Sequence, residues 1–152
     1  MRDLPQDDDV LSVMGSLWAV DHGLQAVSKR MLRTIGVTGP QRTVLRMVGR
    51  EEGISPGDLA RRIHDHPSTI TGVLRRLEER GLVSRSPDLR DARRSHLHLT
   101  EAGRELNAMR EGTVESAVRA TLARLPEGDL DRAMEMLRVL TEELANISDP
   151  EE

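Results

Sequence analysis

The sequence predicts a mainly α-helical protein of about six helices carrying a single two-stranded β hairpin. Three observations carry that expectation. Apolar residues recur at three- and four-residue spacing through most of the chain, and the period falls to two only around residues 83–99. Gly and Pro cluster at a few sites that cut the helical pattern into segments. Phe and Tyr are absent and Trp18 is the only aromatic residue, so the core must be built from Leu, Val, Ile, Met and Ala, which pack helix on helix.

The first segment, 10–35, carries Val10, Val13, Leu17, Val20, Leu24, Val27 and Met31 as one seam, with Gly36 and Gly39 expected to end it. Thr38-Gly39-Pro40-Gln41 has the form of a capping box and opens a second helix that buries Val44, Leu45 and Val48. After Glu52-Gly53, Ser55-Pro56-Gly57-Asp58 combines a cap, Pro in the first turn and an early acid, starting a short helix with Leu59, Ala60 and Ile63 inward. A fourth helix starts near His66-Pro67 and buries Ile70, Val73, Leu74 and Leu77; Gly81 closes it and Leu82 folds back onto it. Val83-Ser84-Arg85 and His96-Leu97-His98-Leu99 form the hairpin around a turn rich in arginine. Thr100 caps a long helix predicted to run to about Arg124. Leu125 to Asp129 break the chain, and a last helix follows with Leu130, Met134, Leu137, Leu140 and Leu144 on one face.

The chain has 152 residues and a net charge of −4, which at first argues against a polyanionic partner. Its distribution reverses that impression, because residues 60–94 hold 9 basic against 5 acidic side chains while both flanks are acidic. A basic patch on an acidic body is the footprint of a protein that touches nucleic acid at one place only. The absence of Cys excludes disulfides, thiolate metal sites and thiol redox sensing. No apolar run approaches a membrane span and the acidic start lacks a secretory signal, so a cytoplasmic, non-membrane protein is expected. The end seams have little to pack on within one small domain, which favours a homodimer.

The stretch DLRDARRSHLHLTEAG, residues 88–103, closely resembles the D-x-R-D-x-R…L-x-L-T-x-x-G signature of the MarR family of winged helix-turn-helix transcription regulators. The carrying residues are Asp88, Arg90, Asp91, Arg93, Leu97, Leu99, Thr100 and Gly103, and the preceding ITGVLRRLEERGLVSR is similar to that family's recognition helix and exit strand. The resemblance implies a homodimer whose first and last helices form the interface, with a β wing on each subunit. It implies a repressor that binds a pseudo-palindromic operator on double-stranded DNA and is released by a small-molecule effector. The corresponding boundaries are a dimerisation helix at 1–36, a DNA-binding domain at 37–100, C-terminal dimerisation helices at 101–147 and a frayed tail at 148–152.

Candidate DNA-binding residues follow from chemistry. Ser68, Thr69 and Thr71 bring short hydroxyls and methyls to a helix start, Gly72 leaves room for close approach, and Arg75 lies one turn on. The helix N-terminus adds amides that favour phosphate. Arg90 and Arg93 resemble the family's wing-tip positions, from which an arginine enters a narrow minor groove. Asp91 is expected to orient an arginine through a two-point bond. By the same resemblance an effector sits between the dimer helices and the winged domain, where Trp18, His22, Arg46 and Met47 are the candidate lining. The lack of Tyr and Phe leaves little on which a flat phenolic ligand can stack.

His64/His66 and His96/His98 form two H-x-H pairs, but no Cys joins them and the nearest acids lack ligand-like spacing, so neither a metal nor a cofactor is expected. Outward positions on a strand account for His96 and His98. Three rivals stay open at this point: an activator or ligand-independent binder of the same fold, a histidine-metal hydrolase, and a protein–protein adaptor. No Ser-His-Asp context, phosphate loop or paired-carboxylate site supports an enzyme.

Overall fold

A computed structural model describes residues 6–91 and 93–148. The order is α1 (Asp7–Thr34), α2 (Gly39–Arg50), α3 (Pro56–Ile63), α4 (Pro67–Glu79), β1 (Val83–Pro87), β2 (Ser95–Leu99), α5 (Glu101–Ala108), α6 (Val114–Leu122) and α7 (Asp129–Ser148). The chain divides into two compact units, one ending at Val114 and one starting at Glu115. Of the tail expected at 148–152, Ser148 completes α7 and the rest lies outside the described residues. No described helix is long and apolar enough to cross a membrane.

The core of the first unit sits beneath α2, α3, α4 and the hairpin. Val44, Leu45 and Val48 meet Leu59 and Ala60, Ile70, Leu74 and Leu77, and then Val83, Leu97 and Leu99. Each large aliphatic side chain buried this way contributes roughly 1.5–3 kcal/mol before entropy is counted. The expected caps form. The Thr38 hydroxyl accepts from the Gln41 N–H at 3.4 Å while Gln41 Oε1 accepts from the Thr38 N–H at 3.0 Å, and Ser55 accepts from the Asp58 N–H at 3.1 Å. Gly81 takes the left-handed conformation (φ +65°), and the Leu82 N–H reaches back to the Leu77 carbonyl at 2.9 Å. Gly39, expected to help end the first helix, instead begins α2; Gly36 (φ +76°) is the residue that turns the chain.

The hairpin pairs antiparallel, from Val83 opposite Leu99 to Pro87 opposite Ser95. A third segment extends it. The Gly53 N–H donates to the Leu97 carbonyl at 2.8 Å and the Leu97 N–H to the Ile54 carbonyl at 3.0 Å. The α2–α3 connection therefore lies along β2 as a short edge. Gly103 explains itself by contact, since a Cβ there would stand 2.0 Å from the Leu82 carbonyl oxygen. Its absence lets α5 close directly onto the entry to β1.

The long helix predicted from Thr100 to Arg124 is two helices, giving seven among the described residues rather than six. The cause is a buried cation. Arg42, on α2 and 1% exposed, directs its guanidinium at the C-terminal end of α5. Its Nη1 donates to the Leu106 carbonyl at 2.5 Å, and its Nη2 donates to the carbonyls of Met109 and, at 3.4 Å, Asn107. Arg46 adds bonds from Nη1 to Asn107 Oδ1 at 3.1 Å and to its carbonyl at 3.3 Å. Those carbonyls are the acceptors a continuing helix would have used. Met109 is extended, Gly112 is left-handed (φ +68°), and Thr113 is buried 2% exposed before α6 begins.

The end helices are sparsely covered. Of the α1 seam only Met31 is buried, Leu17 and Val27 are half-buried, and Val20 is 60% exposed. Neither α6 nor α7 has a buried residue; Met134, Leu137 and Leu144 are each more than half exposed.

Replacing Arg42 with Leu should lower stability by on the order of 3 kcal/mol, because desolvated carbonyls lose their donors. Thermal and urea unfolding measure it, and an unchanged melting midpoint would refute the capping role.

Candidate nucleic-acid interface

The start of α4 is held by side chains on either side of the turn from α3. His64 ends α3 in the left-handed conformation (φ 56°), and the Asp65 N–H closes on the Ala60 carbonyl at 3.2 Å. Asp65 Oδ1 accepts from the His66 N–H at 2.7 Å, while His66 Nδ1 stands 2.8 Å from the Ser68 hydroxyl and 3.4 Å from its N–H. His66 is thus the N-cap through its ring, a role the sequence reading did not assign. Ile70, Leu74 and Leu77 anchor the opposite face in the core.

This leaves Ser68, Thr69, Thr71 and Arg75 on an exposed face, with Gly72 half-buried beside them. The Thr71 hydroxyl donates to the Pro67 carbonyl at 2.8 Å, so its lone pairs and methyl are what remain to offer. Arg75 is 74% exposed and only loosely drawn to Glu79, at 3.6 Å. Nothing is within 4 Å of the position a Gly72 Cβ would occupy, so the approach above it is open.

The hairpin tip is ordered by its carboxylates. Asp88 Oδ1 accepts from the N–H groups of Arg90 at 2.7 Å and Asp91 at 3.1 Å, and Asp91 Oδ1 accepts from the Arg93 N–H at 3.0 Å. The Asp88 N–H meets the Arg94 carbonyl at 3.1 Å and closes the loop. These donors, the Arg90 N–H first and then the His96 ring, hold the Asp88 carboxyl below its ordinary range. The expected two-point bond from Asp91 to an arginine does not form. Asp91 spends one oxygen on backbone, and only Arg94 Nε approaches the other, at 3.8 Å. Among the described residues, no hydrogen bond or ion pair engages the guanidinium of Arg90 or Arg93. Leu89 beside them is 100% exposed.

His96 and His98 face away from the core, as expected of outward strand positions, and both rings are also engaged by partners. His96 Nδ1 lies 2.8 Å from the Gly53 carbonyl and Nε2 2.9 Å from Asp88 Oδ2. His98 contacts Glu52 at 3.2 Å and the Ser86 hydroxyl at 3.0 Å. Sequence alternation placed both on one face correctly, but the α2–α3 connection, whose Gly53 carbonyl and Glu52 carboxylate meet the two rings, is distant in sequence. Among the described residues no group of three potential ligands is arranged for a metal.

The four residues expected to line an effector site are dispersed. Trp18 and His22 are exposed, Arg46 is tied to Asn107, and Met47 packs on the core. A cavity of 610 Å³ lies elsewhere in the same unit, lined by Asp21, Leu24 and Ser28 of α1, Val44 of α2, Ile63 and Asp65, and Ile70 and Val73 of α4. It falls on the strip of α1 marked by Asp21, Leu24 and Ser28, beside that of Trp18 and His22.

A helix tip and an arginine-bearing wing carried on one helix-turn-helix unit define a winged helix-turn-helix DNA-binding regulator. The MarR family profile matches residues 37–95. The HTH-type transcriptional repressor Mb2911 of Mycobacterium bovis is 34% identical over 109 residues, which is 72% of this chain and 78% of that protein. The crystal structure of MarR superimposes with a TM-score of 0.62 at 28% identity, covering 88% of this chain and 98% of that one. CouR from Rhodococcus jostii, solved with p-coumaroyl-CoA, gives 0.68 at 25% identity, covering 85% and 91%. The chain belongs to the MarR family and is a DNA-binding transcriptional regulator, not an enzyme.

Arg93→Ala is expected to weaken DNA binding by about 1–3 kcal/mol while leaving the melting temperature unchanged. Equal gel-shift affinity for both proteins at physiological salt would remove Arg93 from the interface.

Proposed function

We propose that this protein is a cytoplasmic repressor that binds a pseudo-palindromic operator as a homodimer and releases it when a small effector binds. The observation that carries the reading is the pairing, within one compact unit, of the exposed α4 tip with the guanidinium groups of Arg90 and Arg93, which have no partner among the described residues. Ser68, Thr69, Thr71 and Arg75 read base edges and adjacent phosphates in the major groove, with Gly72 admitting the backbone. Arg90 and Arg93 enter the neighbouring minor groove. Asp88 and Asp91 stay off the DNA because they are occupied in shaping the loop.

Two features support the dimer. α1 exposes Val10, Val13, Val20 and Leu24, and α7 separately exposes Met134, Leu137 and Leu144. Apolar surface on that scale marks an association face. Two-fold symmetry then sets half-sites about one helical turn (~34 Å) apart. Repression is supported by the name of the mycobacterial relative, and an effector by the ligand that CouR holds.

The cavity beneath α4 is the effector site in this reading. Ile70 and Val73 of α4 and Asp65, next to its N-cap, form part of its wall, so filling it shifts the helix that reads DNA. Asp21 and Asp65 are its charged lining residues, and neither a cation nor an aromatic ring faces them there. Its ligand is therefore apolar and neutral or cationic, unlike a flat aromatic acid.

Selection of bound fragments from random DNA by the purified protein should recover a palindrome, with affinity falling steeply as salt rises. No enrichment, or a monomer by sedimentation, would refute the reading. A thermal-shift screen of apolar amines beside aromatic acids should give hits among the amines that also loosen the DNA complex. Hits confined to the acids would overturn the assignment of the ligand.

A further inference from the structure

His96 joins three pieces of the molecule that the interface needs in register. Its ring lies on β2, its Nδ1 faces the Gly53 carbonyl in the α2–α3 connection, and its Nε2 faces Asp88 Oδ2 at the root of the wing loop. The second oxygen of that same carboxylate holds the N–H groups of Arg90 and Asp91. We propose that His96, as an imidazolium, is a positioning residue for DNA binding, bracing Asp88 so that the wing presents Arg90 and Arg93. The proposal rests on the wing's role in DNA binding argued above.

The geometry selects the charged ring. A carbonyl oxygen only accepts, so Nδ1 must carry a proton to bond Gly53. A carboxylate only accepts, so Nε2 must carry one to bond Asp88. Either neutral tautomer aims a nitrogen lone pair at an oxygen lone pair and loses one of the two bonds. With the Gly53 carbonyl as the larger cause and Asp88 the next, the His96 ring is held above its ordinary value.

The neighbouring charges do not provide an alternative partner. From the connection and α3, Glu51 pairs with Arg62, Glu52 with His98, and Asp58 with Ser55 and Arg61. From β1, Arg85 pairs with Glu78. Arg94 opposes the ring's charge weakly and Arg93 lines the same cleft. Asp88 is thus the carboxylate that answers His96.

The sign follows from linkage. A group whose folded value is raised contributes order that is complete below its unfolded value and is lost as pH rises through the folded value. Asp88, held low, contributes order that is lost only as pH falls through its own lowered value. The brace is therefore whole from mildly acidic conditions up to the raised histidine value, and opens above it.

Anisotropy of a labelled duplex recovered from the random pool, at constant ionic strength from about pH 5.5 to 8.5, reads the effect. Wild-type affinity should fall by about threefold to tenfold across the range through loss of one charge-assisted bond. His96→Gln should bind weakly and without that pH step, whereas His98→Gln should keep it. In NMR spectra of the full chain, the Arg90 and Asp91 amides should shift in phase with the His96 ring, and Asp88→Asn should lower the pH of that transition. A pH step retained in His96→Gln, or loop amides indifferent to the ring, would overturn the proposal. Absence of duplex binding at any pH, with the amides still following the ring, would instead overturn the DNA reading and with it the purpose of the brace.

Discussion

A guanidinium buried in the first turn of α2 decides where the winged unit ends. Arg42 is almost wholly out of water, and its donors are directed at carbonyls of the last turn of α5 and just beyond. The helix stops at Ala108 because its terminal acceptors find better partners in a cation than in further helical N–H groups. Leaving those oxygens dry and unpaired would cost more than ending the helix. Gly103 cooperates from the other end of α5. Without a side chain it lets the helix lie against the Leu82 carbonyl, so the strand entry and α5 cannot shift independently. The frame that carries the α4 tip and the wing is thereby fixed at both ends of one short helix.

On that frame the acidic residues of the wing act as loop formers. Asp88 and Asp91 together accept three backbone N–H bonds, which fix the backbone at Arg90, Asp91 and Arg93. Their negative charge is consumed inside the loop, and the guanidinium groups of Arg90 and Arg93 are left outward. Ordering these residues before contact lowers the entropy that association would otherwise have to supply. The same economy of charge appears at the α4 N-terminus, where Asp65 and His66 satisfy local amides and leave the Thr69 hydroxyl and the Arg75 head unoccupied by close bonds. The acidic flanks of the chain add to this. A body that repels phosphate confines attraction to the two basic projections, which favours a defined docking geometry over indiscriminate adhesion.

How much of this was legible depended on sequence distance. The α4 segment and the hairpin could be read because their signals are local: a three-four spacing, a Gly at the left-handed position, and a two-residue period. The break between α5 and α6 could not, since its cause lies on α2, more than 60 residues earlier. Arg42 shows only a basic residue within an amphipathic helix, which reads as solvated surface. The partners of His96 are hidden for the same reason. Alternation correctly put it opposite Leu97, but its ring meets the Gly53 carbonyl, brought alongside β2 by backbone pairing that no short window reveals. Trp18 and His22 were singled out for their chemistry, while the cavity lies along the neighbouring strip that includes Asp21 and Leu24. A helix of 28 residues offers several such strips, and periodicity alone does not choose among them.

The α1 seam makes the physical case for association. The spacing from Val10 to Met31 is that of a buried stripe, yet burial is complete only at Met31. A sequence that maintains such a stripe without a covering surface would forgo about 25 cal/mol for every Å² left in water. The α7 helix repeats the mismatch on its own, with 20 residues in regular helix and none buried. Isolated helices of that length are only marginally stable in water, and most helical stability in proteins comes from packing an apolar face. In the homodimer proposed above, a second copy of the chain would cover the exposed apolar face of each of these helices. The same proposed pairing would supply the two-fold symmetry that a palindromic site requires, so that one constraint would bear on the apolar faces and on the reading of DNA.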